Sequence, residues 1–302
     1  MRVTQLSGGV GGARLARGFD LLPDVELTVV VNVGDDLPYR GLHVSPDLDT
    51  VTYTLAGVEG PDGWGRADDS FTAHDEMTRL GASGDFRVGD TDLALKLLRT
   101  GAMANGMALS TFTRDISARF GIGSVILPAT DDMLRTVIVT HDGQELDFRE
   151  YFVTRRHRDG VARLEFVGAD VAKPAPGVMD SISSCDVLVI GPSNPPLSIW
   201  PILAIPGVED AVRSHPRVVA VSPLIGGQPI KGPADRVIQD LGLGTGTDGV
   251  ASCYRGLIHK LFVDRSDEKD SGQVDDVEVR ATDTLIRDPE KARQLASVII
   301  QA

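Results

Sequence analysis

The chain is short of positive charge, of cysteine and of long apolar runs, and each shortage closes off a class of function. Lysine and arginine number 30 against 43 aspartates and glutamates, leaving a net charge of -13. So acidic a chain repels phosphate backbones, which argues against nucleic acid or an anionic membrane as a partner. Two cysteines, Cys185 and Cys253, are too few for a disulfide scaffold or a zinc site. They read as small buried hydrophobes in a reducing compartment. No apolar run reaches the ~20 residues that would span a bilayer. No signal peptide is visible, because Met1-Arg2-Val3-Thr4 runs straight into a strand-like segment. The expected setting is soluble and cytoplasmic.

Several catalytic signatures are also missing. The six histidines (43, 74, 141, 157, 215 and 259) show no HExxH or other metal spacing. There is no Gly-x-Ser-x-Gly elbow, which disfavours a serine nucleophile. The first glycine cluster is not followed by Gly-Lys-Ser/Thr, so it is no P-loop. Neither internal repeats nor low-complexity tracts interrupt the chain.

Hydrophobic residues make up 42% of the 302 positions, enough to bury a real core and to exclude wholesale disorder. Short apolar runs at Arg2–Leu6, Glu26–Val33, Asp186–Ile190 and Arg217–Val221 each end in Gly, Asp, Ser or Pro. Strands buried on both faces of a parallel sheet look like this. Helix-like stretches lie between them at Ala13–Leu22, Asp49–Ala56, Asp92–Thr100 and Leu109–Phe120. The alternation predicts a doubly wound, mostly parallel, Rossmann-like α/β sheet over residues 1–302. Residues 124–168 read as a small antiparallel insertion, with a hairpin turning at Asp142-Gly143. A late strand is expected at Val277–Arg280 and a last helix at Asp288–Gln301. The acidic stretch Asp264–Asp276 is expected to be a solvated loop.

The densest motif is Ser7-Gly8-Gly9-Val10-Gly11-Gly12-Ala13, after the first strand and before a helix. Glycines let backbone approach a phosphate, and free amides at a helix start donate to it. Gly8, Gly9, Gly11 and Gly12 are therefore candidate nucleotide contacts. The second strand ends in Asn32-Val33-Gly34-Asp35-Asp36, where oxygen ligands could hold a divalent cation. In Ser45-Pro46-Asp47-Leu48-Asp49-Thr50, Pro46 suits the first helical position, and the helix dipole accounts for Asp47. Asp49 is a candidate to complete a metal site with Asp35, or to orient a hydroxyl. Gly191-Pro192-Ser193-Asn194-Pro195 and Ser222-Pro223-Leu224-Ile225-Gly226-Gly227 follow buried strands, so both loops are expected at the same sheet edge. With Lys231 and Arg87 as counter-charges, they would frame a pocket for a phosphorylated ligand. Trp64 and Trp200 could stack on a flavin-like ring.

Taken in order, these motifs resemble the 2-phospho-L-lactate transferases (CofD-like, FbiA in actinobacteria). Gly63-Trp64-Gly65 and Thr282-Asp283-Thr284-Leu285 match as well, so the likeness covers nearly the whole chain. The resemblance implies a Mg²⁺-dependent enzyme of coenzyme F-420 biosynthesis. A guanosine-diphosphate-linked acid, 2-phospholactate or phosphoenolpyruvate, would be the donor. The ribityl hydroxyl of 7,8-didemethyl-8-hydroxy-5-deazariboflavin would attack, and GMP would leave. By motif position the resemblance puts Asp49, Arg87 and Trp64 at the deazaflavin, and Asp35 and Asp49 at the metal and the attacking hydroxyl. It puts the glycine loop, Ser193, Asn194, Ser222, Gly226 and Gly227 at the nucleotide, where Lys231 would serve as counter-charge. It also implies a homodimer. The chain departs from the family where Thr91 replaces the usual Arg and Lys96 the usual His, which bears on the donor's acid group. A different class, nucleotide-sugar-binding regulators of the same fold, shares the first glycine loop but usually lacks the Gly-Pro-Ser-Asn-Pro loop. A Rossmann oxidoreductase would need Gly-x-Gly-x-x-Gly spacing in the loop after the first strand, which that loop lacks.

Overall fold

The computed structural model describes residues 1–84 and 86–302. Its central sheet has eight strands, in the order Gly272–Val274, Val277–Thr282, Lys260–Asp264, Val218–Val221, Val187–Ile190, Arg2–Ser7, Glu26–Val31 and Val125–Pro128. Every pair is parallel except the first, where Gly272–Val274 runs antiparallel to Val277–Thr282. Val29, Val30, Val31 and the whole of Val187–Ile190 are shut off from solvent. Strands covered on both faces need no polar alternation, which is why they read as continuous apolar runs.

The first strand lies mid-sheet, with Leu6 paired to Val30 on one side and Ile190 on the other. The chain adds Glu26–Val31 and Val125–Pro128 on one flank, then crosses over and builds the other from Val187–Ile190 outward. The order therefore reverses between Arg2–Ser7 and Val187–Ile190. A crevice opens beyond the carboxyl ends of strands at such a point.

Helix α1 (Gly9–Asp20) packs beside α2 (Pro46–Ala56) and the C-terminal helix Pro289–Gln301. Its buried face is Ala13, Leu15, Ala16 and Phe19, and burying Phe19 alone contributes about 1.5–3 kcal/mol. Gly18 allows the close approach to the last helix. A Cβ there would sit 2.2 Å from the Ala292 carbonyl oxygen, so Gly18→Ala would force the two helices apart. Helix α3 (Thr72–Arg79), α4 (Asp90–Ala104) and α5 (Leu109–Arg119) complete this half of the molecule.

Three expectations from sequence need correction. Val125–Pro128 belongs to the main parallel sheet, paired with Glu26–Val31, so the antiparallel insertion is shorter than residues 124–168. It comprises Arg135–Thr140, Glu145–Asp147 and Val161–Val167. Its small core of Ile138, Leu146, Tyr151 and Val161 is closed by Leu197 and Val237 from the main body, so it does not stand alone. Second, Lys260–Asp264 is a central strand that the sequence reading passed over. Third, Asp264–Asp276 is largely exposed, as expected, but is not a loop throughout. It forms a 3-10 turn, Arg265–Asp270, then the antiparallel edge strand, and it buries Asp267. Among the described residues, no helix is long and apolar enough to cross a membrane.

Candidate active site

A cavity of about 690 Å³ opens at the reversal point of the sheet, within the range of small-ligand sites. One wall is the glycine loop and the start of α2. The opposite walls come from α4, the insertion and the segment after Val218–Val221.

Helix α1 starts at Gly9, inside the glycine cluster, not at Ala13. The cluster is thus the first turn of a helix. Gly11 is required for close packing, because a Cβ would lie 2.3 Å from the Pro192 carbonyl oxygen. The Ser193 hydroxyl accepts from the Gly8 amide at 3.0 Å and donates to the Gly8 carbonyl at 2.8 Å. The two loops that flank the crevice are in this way joined. First-turn amides have no partner within their helix. That of Gly9 donates to Asp47 Oδ1 at 2.6 Å. Val10 and Gly11 line the cavity, where such amides favour an anion.

Carboxylates crowd this end. The Asn32 amide donates to Asp35 Oδ1 at 3.2 Å and to Asp47 Oδ2 at 3.0 Å, so both acids touch one nitrogen. Burial, then the charges of Asp47 and Asp36, push the Asp35 carboxyl well above its ordinary range. Burial likewise pushes Asp47 up to about 6, against the bonds from Asn32 and Gly9. Asp36 is turned aside: its Oδ2 lies 2.8 Å from His43 Nε2 and accepts from Ser45 Oγ at 2.6 Å.

Asp49, two residues along α2, meets the opposite environment. Its carboxylate is bound by Arg99 and Lys96, with Arg99 Nη1 at 3.3 Å and Lys96 Nζ at 3.2 Å from Oδ2. Burial alone would raise its pKa, but the two cations outweigh that and hold it below the ordinary value. Lys96 also pairs with Asp92, which accepts from the Tyr53 hydroxyl at 2.8 Å. Asp92, Lys96 and Arg99 share one face of α4 by helical spacing.

The remaining walls are aromatic and basic. Arg87 lies 3.7 Å from the centre of the Phe71 ring. Lys231 Nζ donates to the Asp62 carbonyl and lies 6.0 Å from the centre of the Trp64 ring. From the insertion come Phe148 and Phe152, stacked at 4.3 Å.

The structure brings most of the expected residues to this cavity: Gly8, Gly9, Gly11, Asp35, Asp49, Trp64, Arg87, Ser193, Asn194, Ser222 and Lys231 all line it. Three do not. Gly12 packs against Ser7 and Ser193, and Gly226 and Gly227 form a hairpin turn beyond the lining, with φ of +60 and +75. Several lining residues also spend polar groups on the protein itself. Asn194 Oδ1 accepts from the Leu197 amide at 3.3 Å, and Ser222 Oγ from the Leu224 amide at 3.1 Å. Trp200 is not in the lining; its indole donates to the Cys253 carbonyl at 3.0 Å. Asp47 is not merely a dipole residue, since it contacts the glycine turn. Among the described residues, no three His, Cys, Asp or Glu side chains are grouped to hold a metal ion. Mg²⁺, however, is commonly held by one or two carboxylates together with substrate phosphates. The buried Asp35 and Asp47 fit that pattern. Sequence reasoning missed the Arg99 clamp and the insertion's aromatics. The i, i+4, i+7 spacing of Asp92, Lys96 and Arg99 was the available signal for the first.

Residues 3–302 match the model of the family described as 2-phospho-L-lactate transferase CofD. A Methanopyrus kandleri protein named 2-phospho-L-lactate transferase is 40% identical over 304 residues, covering 100% of this chain and 97% of its own. A Streptomyces griseus protein named phosphoenolpyruvate transferase is 42% identical over 286 residues, covering 92% of this chain and 89% of its own. Among solved structures, protein BH3568 of Bacillus halodurans matches with a TM-score of 0.66 at 17% identity, over 99% of this chain and 98% of that one. That last likeness shows the fold alone. On the family match and these identities, the chain belongs to the CofD family of 2-phospho-L-lactate transferases.

Proposed function

We propose that the chain is a transferase of coenzyme F-420 biosynthesis. In this reading it moves a phospho-linked three-carbon acid, 2-phospholactate or phosphoenolpyruvate, from a guanosine-diphosphate-linked donor to the ribityl hydroxyl of the deazaflavin. The observation that carries the reading is the meeting of a helix N-terminus with Asp35 and Asp47 at the reversal point of the sheet. Family membership supplies the reaction class.

The donor's diphosphate suits the amides of Val10 and Gly11, which sit in the lining. The acceptor's ring suits the wall that carries Trp64, Arg87, Phe148 and Phe152. The hydroxyl oxygen forms a new bond to the phosphorus next to the acid, and the bond from that phosphorus to the GMP oxygen breaks. The hydroxyl proton passes to a carboxylate. Asp49 is a poor acceptor for it, because Arg99 and Lys96 keep it weakly basic. A Mg²⁺ ion held by Asp35 and Asp47 would neutralise diphosphate charge. The sequence paired Asp35 with Asp49 at the metal. We favour Asp47 as the partner because it shares the Asn32 amide with Asp35. Asp49, fixed by Arg99 and Lys96, is left to orient the acceptor. We further expect guanine nucleotides to bind better than adenine or uridine ones, and the active form to be a homodimer.

The test is incubation with the deazaflavin, Mg²⁺ and each guanylated donor, with mass spectrometry of the product. A deazaflavin carrying one phospho-acid is the expected result. Binding of a UDP-sugar with no transfer from any donor would move the chain to the regulator class.

A further inference from the structure

The end of Lys260–Asp264 and the acidic turn after it lie outside the pocket lining but bond to segments that lead into it. Two carboxylates three residues apart each grip a segment that contributes to the lining. Asp264 Oδ2 accepts from the Thr284 amide at 3.2 Å, and Thr284 lines the cavity. Asp267, only 6% exposed, accepts from the Gly226 amide at 2.9 Å through Oδ2. Gly226 and Gly227 are the two central residues of a hairpin whose arms pair Leu224 with Pro229 and Ile225 with Gln228. Both have positive φ, the requirement of a two-residue type I′ turn. The arms of this hairpin carry Ile225 on one side, and Ile230 and Lys231 follow on the other, all in the pocket lining. Lys231 continues across the mouth to the Asp62 carbonyl and the Trp64 ring.

A hairpin with only two paired residues on each arm has little stability of its own. Something outside it must fix its angle to the sheet. We propose that Asp267 is a positioning residue for the pocket: its carboxylate clips the Gly226 turn to the Arg265–Asp270 turn and so holds Ile225, Ile230 and Lys231 at the pocket wall. Asp270 serves as the internal contrast. It sits in the same 3-10 turn, but its carboxylate accepts from Thr247 Oγ1, in the helix Gly246–Cys253, at 2.8 Å.

The test compares Asp267→Ala, Asp267→Asn and Asp270→Ala in the full chain. Amide hydrogen exchange is followed over residues 224–231, and affinities for GDP and for the deazaflavin are measured by calorimetry. A bond to a charged acceptor is lost in Asp267→Ala, so exchange over 224–231 should quicken about tenfold and GDP should bind about tenfold more weakly. Deazaflavin affinity should fall as well, by about two- to fivefold, because Lys231 meets the Trp64 ring on the acceptor's wall. Asp267→Asn keeps an acceptor oxygen and should restore both quantities to within about threefold of the parent. Asp270→Ala should leave both unchanged. If Asp267→Ala does not fold, Asp267→Glu replaces it, and the same two changes are expected at smaller size. Unaltered exchange and affinity in a folded Asp267→Ala would overturn the proposal, as would equal effects from Asp270→Ala. The nucleotide arm rests on the transferase reading, whereas the exchange arm does not. If the parent protein binds no guanine nucleotide but exchange quickens in Asp267→Ala alone, the clip stands and the transferase reading fails.

Discussion

At the glycine-loop end of the pocket, Asp35 and Asp47 are buried with an amide nitrogen between them and one backbone N–H against Asp47. At the α4 end, Asp49 is buried as deeply but lies between Arg99 and Lys96. Asp47 and Asp49 come from the same turn of the same helix. Residues two apart on a helix do not face each other, so the two side chains were bound to enter different surroundings. One end of the pocket is left with negative charge that a cation or a proton would relieve. The other is neutral and locked. Burial alone therefore does not give a carboxylate a role; its partners decide.

The locked end is broken by Arg99→Met. Asp49 and Asp36 then lose a buried guanidinium, and removing one partner of such a pair costs about 3–5 kcal/mol. Urea unfolding should show a loss of that order. A loss below about 1 kcal/mol would mean that the pair behaves as an exposed one.

The open end is broken by Asp35→Asn. Turnover should fall on the order of a hundredfold or more, because charge at the reacting diphosphate is left unmatched. The melting temperature should hold or rise, since a crowded buried charge has gone. Unchanged turnover would remove Asp35 from the reaction.

The smallest effect sharpens the contrast through pH. Asp47 titrates near 6 in the folded chain against 3.8 as its ordinary value. The folded state binds that proton more tightly, so the contribution is present below the ordinary value and is lost as pH rises through about 6. Asp47→Asn removes the charging cost and should be more stable than the parent by roughly 1–3 kcal/mol at pH 7. The difference should shrink to about 0.5 kcal/mol at pH 4, close to the ordinary value. Asp49 has the opposite sign: its folded value is lowered, so its contribution is present at neutral pH and is lost as the solution is acidified. Thermal melts of Asp47→Asn and Asp49→Asn at both pH values would expose any failure of this pairing.

The parallel sheet was legible because runs such as Val187–Ile190 have one explanation, burial on both faces. The cavity followed from which loops close those strands, whereas the reversal of strand order came only with the fold. Lys260–Asp264 escaped notice because its ends are charged and a polar stretch follows it. Its Leu261, Phe262 and Val263 are nonetheless fully buried. Asp267 was hidden by its acidic neighbours, since composition cannot separate a solvated carboxylate from one that caps a distant turn. Asp47 was assigned to the helix dipole because that explanation is sufficient for any acid in a first turn. Only the fold brings Gly9 within 2.6 Å of it. The aromatic wall from the insertion lies too far along the chain to be linked to the glycine loop by spacing.

The comparison is tested most directly by calorimetry of GDP binding with and without Mg²⁺ in the parent chain, Asp35→Asn and Asp49→Asn. If the open end holds the cation, Mg²⁺ should tighten GDP binding in the parent and in Asp49→Asn, and should lose that effect in Asp35→Asn. A Mg²⁺ effect that survives in Asp35→Asn and disappears in Asp49→Asn would contradict the account.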